Sequence, residues 1–255
     1  MFKKRIIPIL LMDNDGLVKT KQFKDPIYIG DPLNAVRIFN TKLVDELIIL
    51  NIANSRDEKR PDFDFISRIV SECFMPLGYG GGIHSFNDAM EIFALGVEKI
   101  VLQSAVFEDP SIIEQISRHA GSQSVSIAID VIRDSRGSYC VYHAAKGKTM
   151  KVNLLELLIE VQAKGAGEVL ITSIEREGTF SGYDLDLISY VRDSIEVPLI
   201  VNGGAANMDD LNKANLAGAD AMAAGSMFVF YKNRDGVLLN YPVSPDFSFE
   251  QGTLL

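Results

Sequence analysis

Gly80-Gly81-Gly82-Ile83, a helical stretch, and then Gly96-Val97-Glu98-Lys99-Ile100-Val101-Leu102-Gln103-Ser104-Ala105 form one block of this chain. Gly203-Gly204-Ala205-Ala206, a helical stretch, and then Gly218-Ala219-Asp220-Ala221-Met222-Ala223-Ala224-Gly225-Ser226-Met227 form a second. Upstream of them, Leu50-Asn51-Ile52-Ala53-Asn54-Ser55 parallels Thr172-Ser173-Ile174-Glu175-Arg176-Glu177. Two glycine-containing βα units often look alike by chance. The same order of units in both halves does not arise that way, so the chain reads as an internal duplication.

Working outward, short β-rich apolar runs recur at Ile6–Leu11, Leu47–Ile52, Pro76–Gly78, Ile100–Gln103, Val125–Ile129, Val169–Thr172, Pro198–Val201 and Ala221–Ala224. Amphipathic helical patterns lie between them, at Phe63–Glu72, Asn87–Leu95, Ile112–His119, Leu154–Lys164, Leu185–Asp193 and Met208–Leu216. Strands buried on both faces read as unbroken apolar runs, and alternation with helices gives a parallel sheet. Eight such units predict a single (β/α)8 barrel made of two duplicated half-barrels, one domain over residues 1–255. The barrel would occupy about 4–230, with a short tail over 231–255. An open doubly wound sheet is the competing architecture, but it carries fewer strands and one switch point.

Composition narrows the function. The 255 residues carry a net charge of −9, which lacks the clustered Lys and Arg excess of a nucleic-acid footprint. Anionic small molecules stay open, because backbone amides hold phosphate without net positive charge. The two cysteines, Cys73 and Cys140, form no disulfide framework, and a reducing cytoplasm is expected. The start, Met1 to Arg5 followed by Ile6–Met12, reads as a first buried strand, since the run holds Pro8 and ends in Asp13-Asn14-Asp15. No apolar run approaches the roughly 18 residues of a membrane span.

A glycine-rich turn directly after a strand lets N–H groups approach an anion closely. Gly203, Gly204, Gly225 and Ser226 fall in the loops after strands 7 and 8, where barrels commonly hold phosphate. Gly81, Gly82, Gln103 and Ser104 hold the matching places after strands 3 and 4. Two anion sites on opposite sides of one rim are expected, spanned by a molecule with a phosphate at each end. The alternative is that these glycines only make tight turns.

These residues resemble the cyclase subunit of imidazole glycerol phosphate synthase, a histidine-biosynthesis barrel. The resemblance runs from Lys4-Arg5-Ile6-Ile7-Pro8 to about Phe230. It includes Val44-Asp45-Glu46-Leu47, Ala128-Ile129-Asp130, Gly165-Ala166-Gly167-Glu168, Ser173-Ile174-Glu175-Arg176-Glu177-Gly178-Thr179 and Ser181-Gly182-Tyr183-Asp184. It implies a glutaminase subunit at the N-terminal face, a phosphorylated small molecule that Gly178 also helps to hold, and no cofactor or metal. It also implies two aspartates, at the ends of strands 1 and 5, as general acid and base. Asp130 matches the strand 5 position, whereas Leu11 stands at the other, and a leucine transfers no proton. Asp13 and Asp15 lie two or more residues beyond the vacated position. Asn51, Glu177 and Asn202 also replace family residues at strands 2, 6 and 7. A different carboxylate beside Asp130, facing the anion sites, would restore the cyclase reading.

Arg5, Glu46, Lys99 and Glu168 precede or start strands 1, 2, 4 and 6, and match the family's charged ring where ammonia enters. Charged strand starts facing solvent are the alternative. If the ring is an ammonia gate, Glu98, beside Lys99, faces the partner. The stretches Glu72–Gly82, Gly225–Tyr231 and Leu239-Asn240-Tyr241-Pro242 resemble the family's surface-glycan paralogues, associated with lipopolysaccharide O-antigen or related sugar amidation. In that setting a sugar amidotransferase is a further partner. Lys19 matches a lysine on a mobile active-site loop, or else belongs to a solvated basic loop with Lys21 and Lys24. His84, His119 and His143 have no metal-ligand spacing. Lys146 and Lys148 read as part of a hairpin inserted after strand 5. Four functions follow: an ammonia-conducting barrel for glycan amidation, a working histidine-pathway cyclase, a phosphosugar isomerase, or a structural partner without a ligand.

Overall fold

The computed structural model describes residues 4–231 and 236–241. Eight strands form the barrel: β1 (Arg5–Asp13), β2 (Leu47–Asn51), β3 (Leu77–Gly80), β4 (Lys99–Leu102), β5 (Val125–Arg133), β6 (Glu168–Ser173), β7 (Leu199–Asn202) and β8 (Ala221–Ala224). Each pairs in parallel with the next, and β8 returns to β1 with Ala221 opposite Arg5. That last pairing leaves the parallel strands no open edge and excludes the doubly wound alternative.

Alternation along each strand sorts the apolar residues into two cores. Ile7, Ile9, Ile48, Val101, Ala128, Leu170, Ile200, Ala221 and Ala223 point inward and fill the barrel. Their neighbours, such as Leu10, Leu47, Ile49, Ile100, Ile127 and Ile129, point outward and pack under the helices. Each fully buried aliphatic side chain contributes about 1.5–3 kcal/mol, and the stretch between the two ends is lined by packed apolar side chains.

The duplication is visible in how the glycine turns are fixed. After β3, Ser85 caps the helix Phe86–Ala94, and Asp88 in its first turn accepts the His84 N–H at 3.1 Å. After β7, Asn207 caps Met208–Leu216, and Asp210 accepts the Ala206 N–H at 2.8 Å. Each turn is tied to the start of its own helix by one carboxylate.

Two antiparallel hairpins rise from the C-terminal rim. One, Tyr139–His143 with Lys148–Thr149, extends β5, as the residues around Lys146 and Lys148 suggested. The other, Gly16–Lys21 with Lys24–Gly30, folds back on β1 with Val18 opposite Leu11. Its turn places Gln22 and Phe23 in the left-handed region, at φ 54° and 61°. The helix Pro32–Thr41 follows it, capped by Asp31. Of the tail, Tyr241 is buried: its ring packs on Phe228 at 5.6 Å, and its hydroxyl donates to the Ile6 carbonyl at 3.1 Å. Residues 242–255, including Pro242, lie outside the described residues. Among the described residues no helix is long and apolar enough to cross a membrane.

Candidate active site

The inward-facing residues at the strand ends, with the loops above them, line a cavity of about 340 Å³. That is enough for a small phosphorylated metabolite. Leu11, Asn51, Asp130, Thr172 and Asn202 come from the strands, Gln103 from the position just after β4, Lys19 from a hairpin after β1 and Glu177 from the loop after β6.

Asp130 faces the cavity because it follows Ser126 and Ala128 at period two on β5. It is buried, opposite Thr172 on β6, and accepts from Gln103 Nε2 at 2.5 Å. Burial pushes its carboxyl up to about 7; hydrogen bonds from Gln103 and Thr172 oppose the rise, and the Glu177 charge adds to it. A carboxyl near neutrality can both take and give a proton.

Asp13, at the end of β1, lines the same cavity, but Leu11, two residues before it, carries no acid. Its acidic neighbours do not compensate: Asp13 pairs with Arg56 at 3.2 Å, and Asp15 is exposed. The second carboxylate comes instead from the loop after β6. Glu177 is buried, lines the cavity, and lies near enough to raise Asp130. Asp130 is therefore not the only acid in the cavity, although none stands at the Leu11 position itself. Asn51 is spent structurally, its Oδ1 accepting the Asn54 N–H at 3.0 Å to cap a short helix.

Lys19 is not in a solvated loop. It is 4% exposed, with Nζ 3.6 Å from Glu177 Oε1. Glu177 Oε2 accepts from the Thr20 hydroxyl at 3.0 Å and from the Phe23 N–H at 3.2 Å. The Gln22 N–H donates to the Glu177 carbonyl at 2.9 Å, so the hairpin after β1 bridges to the loop after β6.

The glycines sit where only glycine fits. Gly81 and Gly82 have φ 113° and 75°, and a Cβ on Gly81 would lie 2.2 Å from the Asn51 carbonyl oxygen. Gly203 and Gly204 have φ 101° and 102°, and a Cβ on Gly203 would lie 2.6 Å from the Ser173 carbonyl oxygen. Gly178, Gly203, Gly204, Gly225 and Ser226 surround a small recess, with Lys19 Nζ packed onto Gly225. Ser104 and Ser226, at the same place in the two halves, each bury a hydroxyl that has no hydrogen-bond partner among the described residues. Such a group costs about 1–3 kcal/mol if left so. Paired orphan hydroxyls beside paired glycine turns suit two ligand oxygens.

At the opposite end, the four charged strand starts meet. Arg5 lies 2.5 Å from Glu46 and 2.6 Å from Glu168, and Lys99 lies 2.9 Å from Glu46 and 2.7 Å from Glu168. Charges alternate around a closed ring across the barrel axis. Glu98 is not part of it: its Oε2 accepts the Leu77 N–H at 2.8 Å and secures the start of β3. His84 and His119 are exposed, while His143 is buried against Phe107. Among the described residues no three His, Cys, Asp or Glu gather as a metal site.

Sequence reading missed the part played by Thr172, which follows Leu170 at period two on the inward face and is visible only once β6 is paired to β5. It also missed Thr20, for which the apolar pattern carried no signal.

A family model described as histidine biosynthesis protein matches residues 5–234. The chain is 46% identical to the putative imidazole glycerol phosphate synthase subunit hisF3 of Vibrio vulnificus, over 95% of this chain and 94% of that protein. It is 42% identical to the putative imidazole glycerol phosphate synthase subunit hisF2 of Pseudomonas aeruginosa, over 95% and 97%. It is 36% identical to the imidazole glycerol phosphate synthase subunit HisF of a Thermotoga species, over 90% of each.

Proposed function

The chain belongs to the histidine biosynthesis protein family, and from that premise we propose that it is a synthase-type barrel subunit. A glutaminase partner docks on the N-terminal face, and ammonia passes along the barrel axis to the rim cavity. The observation that carries this reading is the closed ring of Arg5, Glu46, Lys99 and Glu168 on the axis, opposite the cavity. Crowding four charges at a core entrance is tolerable only when they neutralise one another, and such a ring offers no net charge to draw in ions. A bis-phosphorylated acceptor spans the rim. Gly81, Gly82, Gln103 and Ser104 hold one phosphate; Gly178, Gly203, Gly204, Gly225 and Ser226 hold the other. Cys73 and Cys140, both unpaired, fit a reducing cytoplasm.

Two readings differ in what the ammonia meets. In the first, the complex feeds a separate sugar amidotransferase in surface-polysaccharide biosynthesis; Leu11 favours it, because the strand 1 acid is gone. In the second, the barrel is a working cyclase of histidine biosynthesis; Glu177 favours it, because a second carboxylate approaches Asp130. In that case ammonia adds to a bis-phosphorylated ribulosyl imidazole-carboxamide, with Asp130 and Glu177 sharing the proton transfers. Turnover of that compound with free ammonium separates them. A rate abolished by Asp130→Asn establishes the cyclase. No turnover, with phosphate binding intact and glutaminase activity stimulated by the barrel, supports the amidation reading.

A further inference from the structure

Asn202 ends β7, directly before the Gly203-Gly204 turn. Its Nδ2 donates to Thr172 Oγ1 at 3.2 Å. Strand register sets Asn202 beside Thr172, and Thr172 beside Asp130, so three adjacent strand ends present three polar groups in a row. A hydroxyl owns one proton and two lone pairs. With the Asn202 amide directed at its oxygen, the Thr172 proton is free to serve Asp130, which the strand register sets directly beside it. On the other flank Gln103 donates to Asp130 Oδ2 at 2.5 Å.

We propose that Asn202 is a positioning residue: it fixes the direction of the Thr172 hydroxyl, so that Asp130 is held as a proton-accepting carboxylate. Protonating Asp130 brings a new O–H against donors on both flanks unless Thr172 turns, and the Asn202 amide resists that turn. Other charged and titratable groups that line the cavity are Glu177 on the loop after β6, Lys19 on the hairpin after β1, and, at the rim, His84 and Asp13 with its partner Arg56. The relay's use in catalysis rests on the reading given above. Its existence does not.

The test needs neither partner nor substrate. The full chain is labelled with carboxyl-13C aspartate and titrated by NMR, with the Asp130 signal assigned by its loss in Asp130→Asn. Asn202→Ala and Thr172→Val are each expected to raise the Asp130 midpoint by about half to one pH unit, roughly three- to tenfold in proton affinity. The double variant moves no further than Thr172→Val alone, and Thr172→Ser, which keeps the hydroxyl, holds the wild-type midpoint. Asn202→Leu, nearer in volume, replaces the alanine variant if that one does not fold. A midpoint unmoved by loss of the Asn202 amide, or shifts that add in the double variant, overturns the relay. Either result leaves glutaminase coupling to be judged separately, and failed coupling leaves this titration intact.

Discussion

Lys19 Nζ lies 3.6 Å from Glu177 Oε1, and both side chains are buried at the mouth of the barrel. The pair links the hairpin after β1 to the loop after β6, alongside the Gln22 and Phe23 amides that bond the Glu177 backbone and side chain. Removing one member of a buried pair leaves the other charge without its counter-ion, typically at a cost of about 3–5 kcal/mol. Lys19→Met is therefore expected to destabilise the protein by about 3 kcal/mol, and Lys19→Met with Glu177→Gln to recover most of it. Urea unfolding of the four proteins of this cycle measures the coupling. Simple additivity would mean the hairpin is held by its backbone bonds alone.

At the other end, Lys99 bridges Glu46 and Glu168, and Arg5 bridges the same two. Lys99→Ala leaves two carboxylates sharing one guanidinium. Glutaminase-coupled output is expected to change at least several-fold, with Arg5→Ala acting likewise. Inorganic phosphate affinity, measured by calorimetry, stays at the wild-type value, because the ring and the glycine turns lie at opposite ends of the barrel. Equal effects on both quantities would remove the ring from ammonia entry.

The glycine turns test the anion sites. A methyl at Gly81 or Gly203 meets a backbone oxygen and must adopt φ above 100°. Strain of that kind costs on the order of 1–3 kcal/mol, and the turn shifts away from the anion as it relaxes. Gly81→Ala and Gly203→Ala are expected to lower phosphate affinity at least tenfold and to reduce Tm by roughly 2–4 °C per kcal/mol lost. Gly137→Ala is the control: its φ of 84° is also positive, but a Cβ there meets nothing within 4 Å. It should cost about 1 kcal/mol and leave phosphate binding alone.

How much of this was legible in the chain follows from what leaves a pattern. The barrel did, because β1 to β8 are buried on both faces and read as apolar runs, and the glycine turns did, because the duplication printed them twice. The hairpin after β1 did not. Lys24–Gly30 is largely exposed, so no apolar face announces a strand, and Lys19 within a run of basic residues looks solvated until tertiary contacts bury it. Glu177 was seen as a family departure, but its approach to Asp130 depends on how the loop after β6 folds over the rim. Leu11 marked a position where the resemblance implies an acid and this chain has none. Only the fold showed what else had come in.

Burial raises the Asp130 carboxyl to about 7, well above the ordinary carboxylate range. Between roughly pH 4 and 7 the folded protein thus keeps a proton that the unfolded chain has released. The group favours folding most below about pH 4; its contribution then declines as the pH rises, and is constant above about 7, where both states are ionised. Asp130→Asn keeps the shape and removes the ionisation. The variant is expected to be more stable than the wild type at pH 8 by a few kcal/mol, about what a shift of this size implies, with the advantage shrinking toward pH 4. Carboxylates held below their ordinary range, such as Asp88 beside Arg60 and Asp220 beside Arg192, give the opposite slope at lower pH. Both proteins share them, so they cancel in the difference. Urea midpoints for the two proteins across about pH 4.5 to 8 test this directly: a constant difference would mean that Asp130 ionises as freely in the barrel as in water.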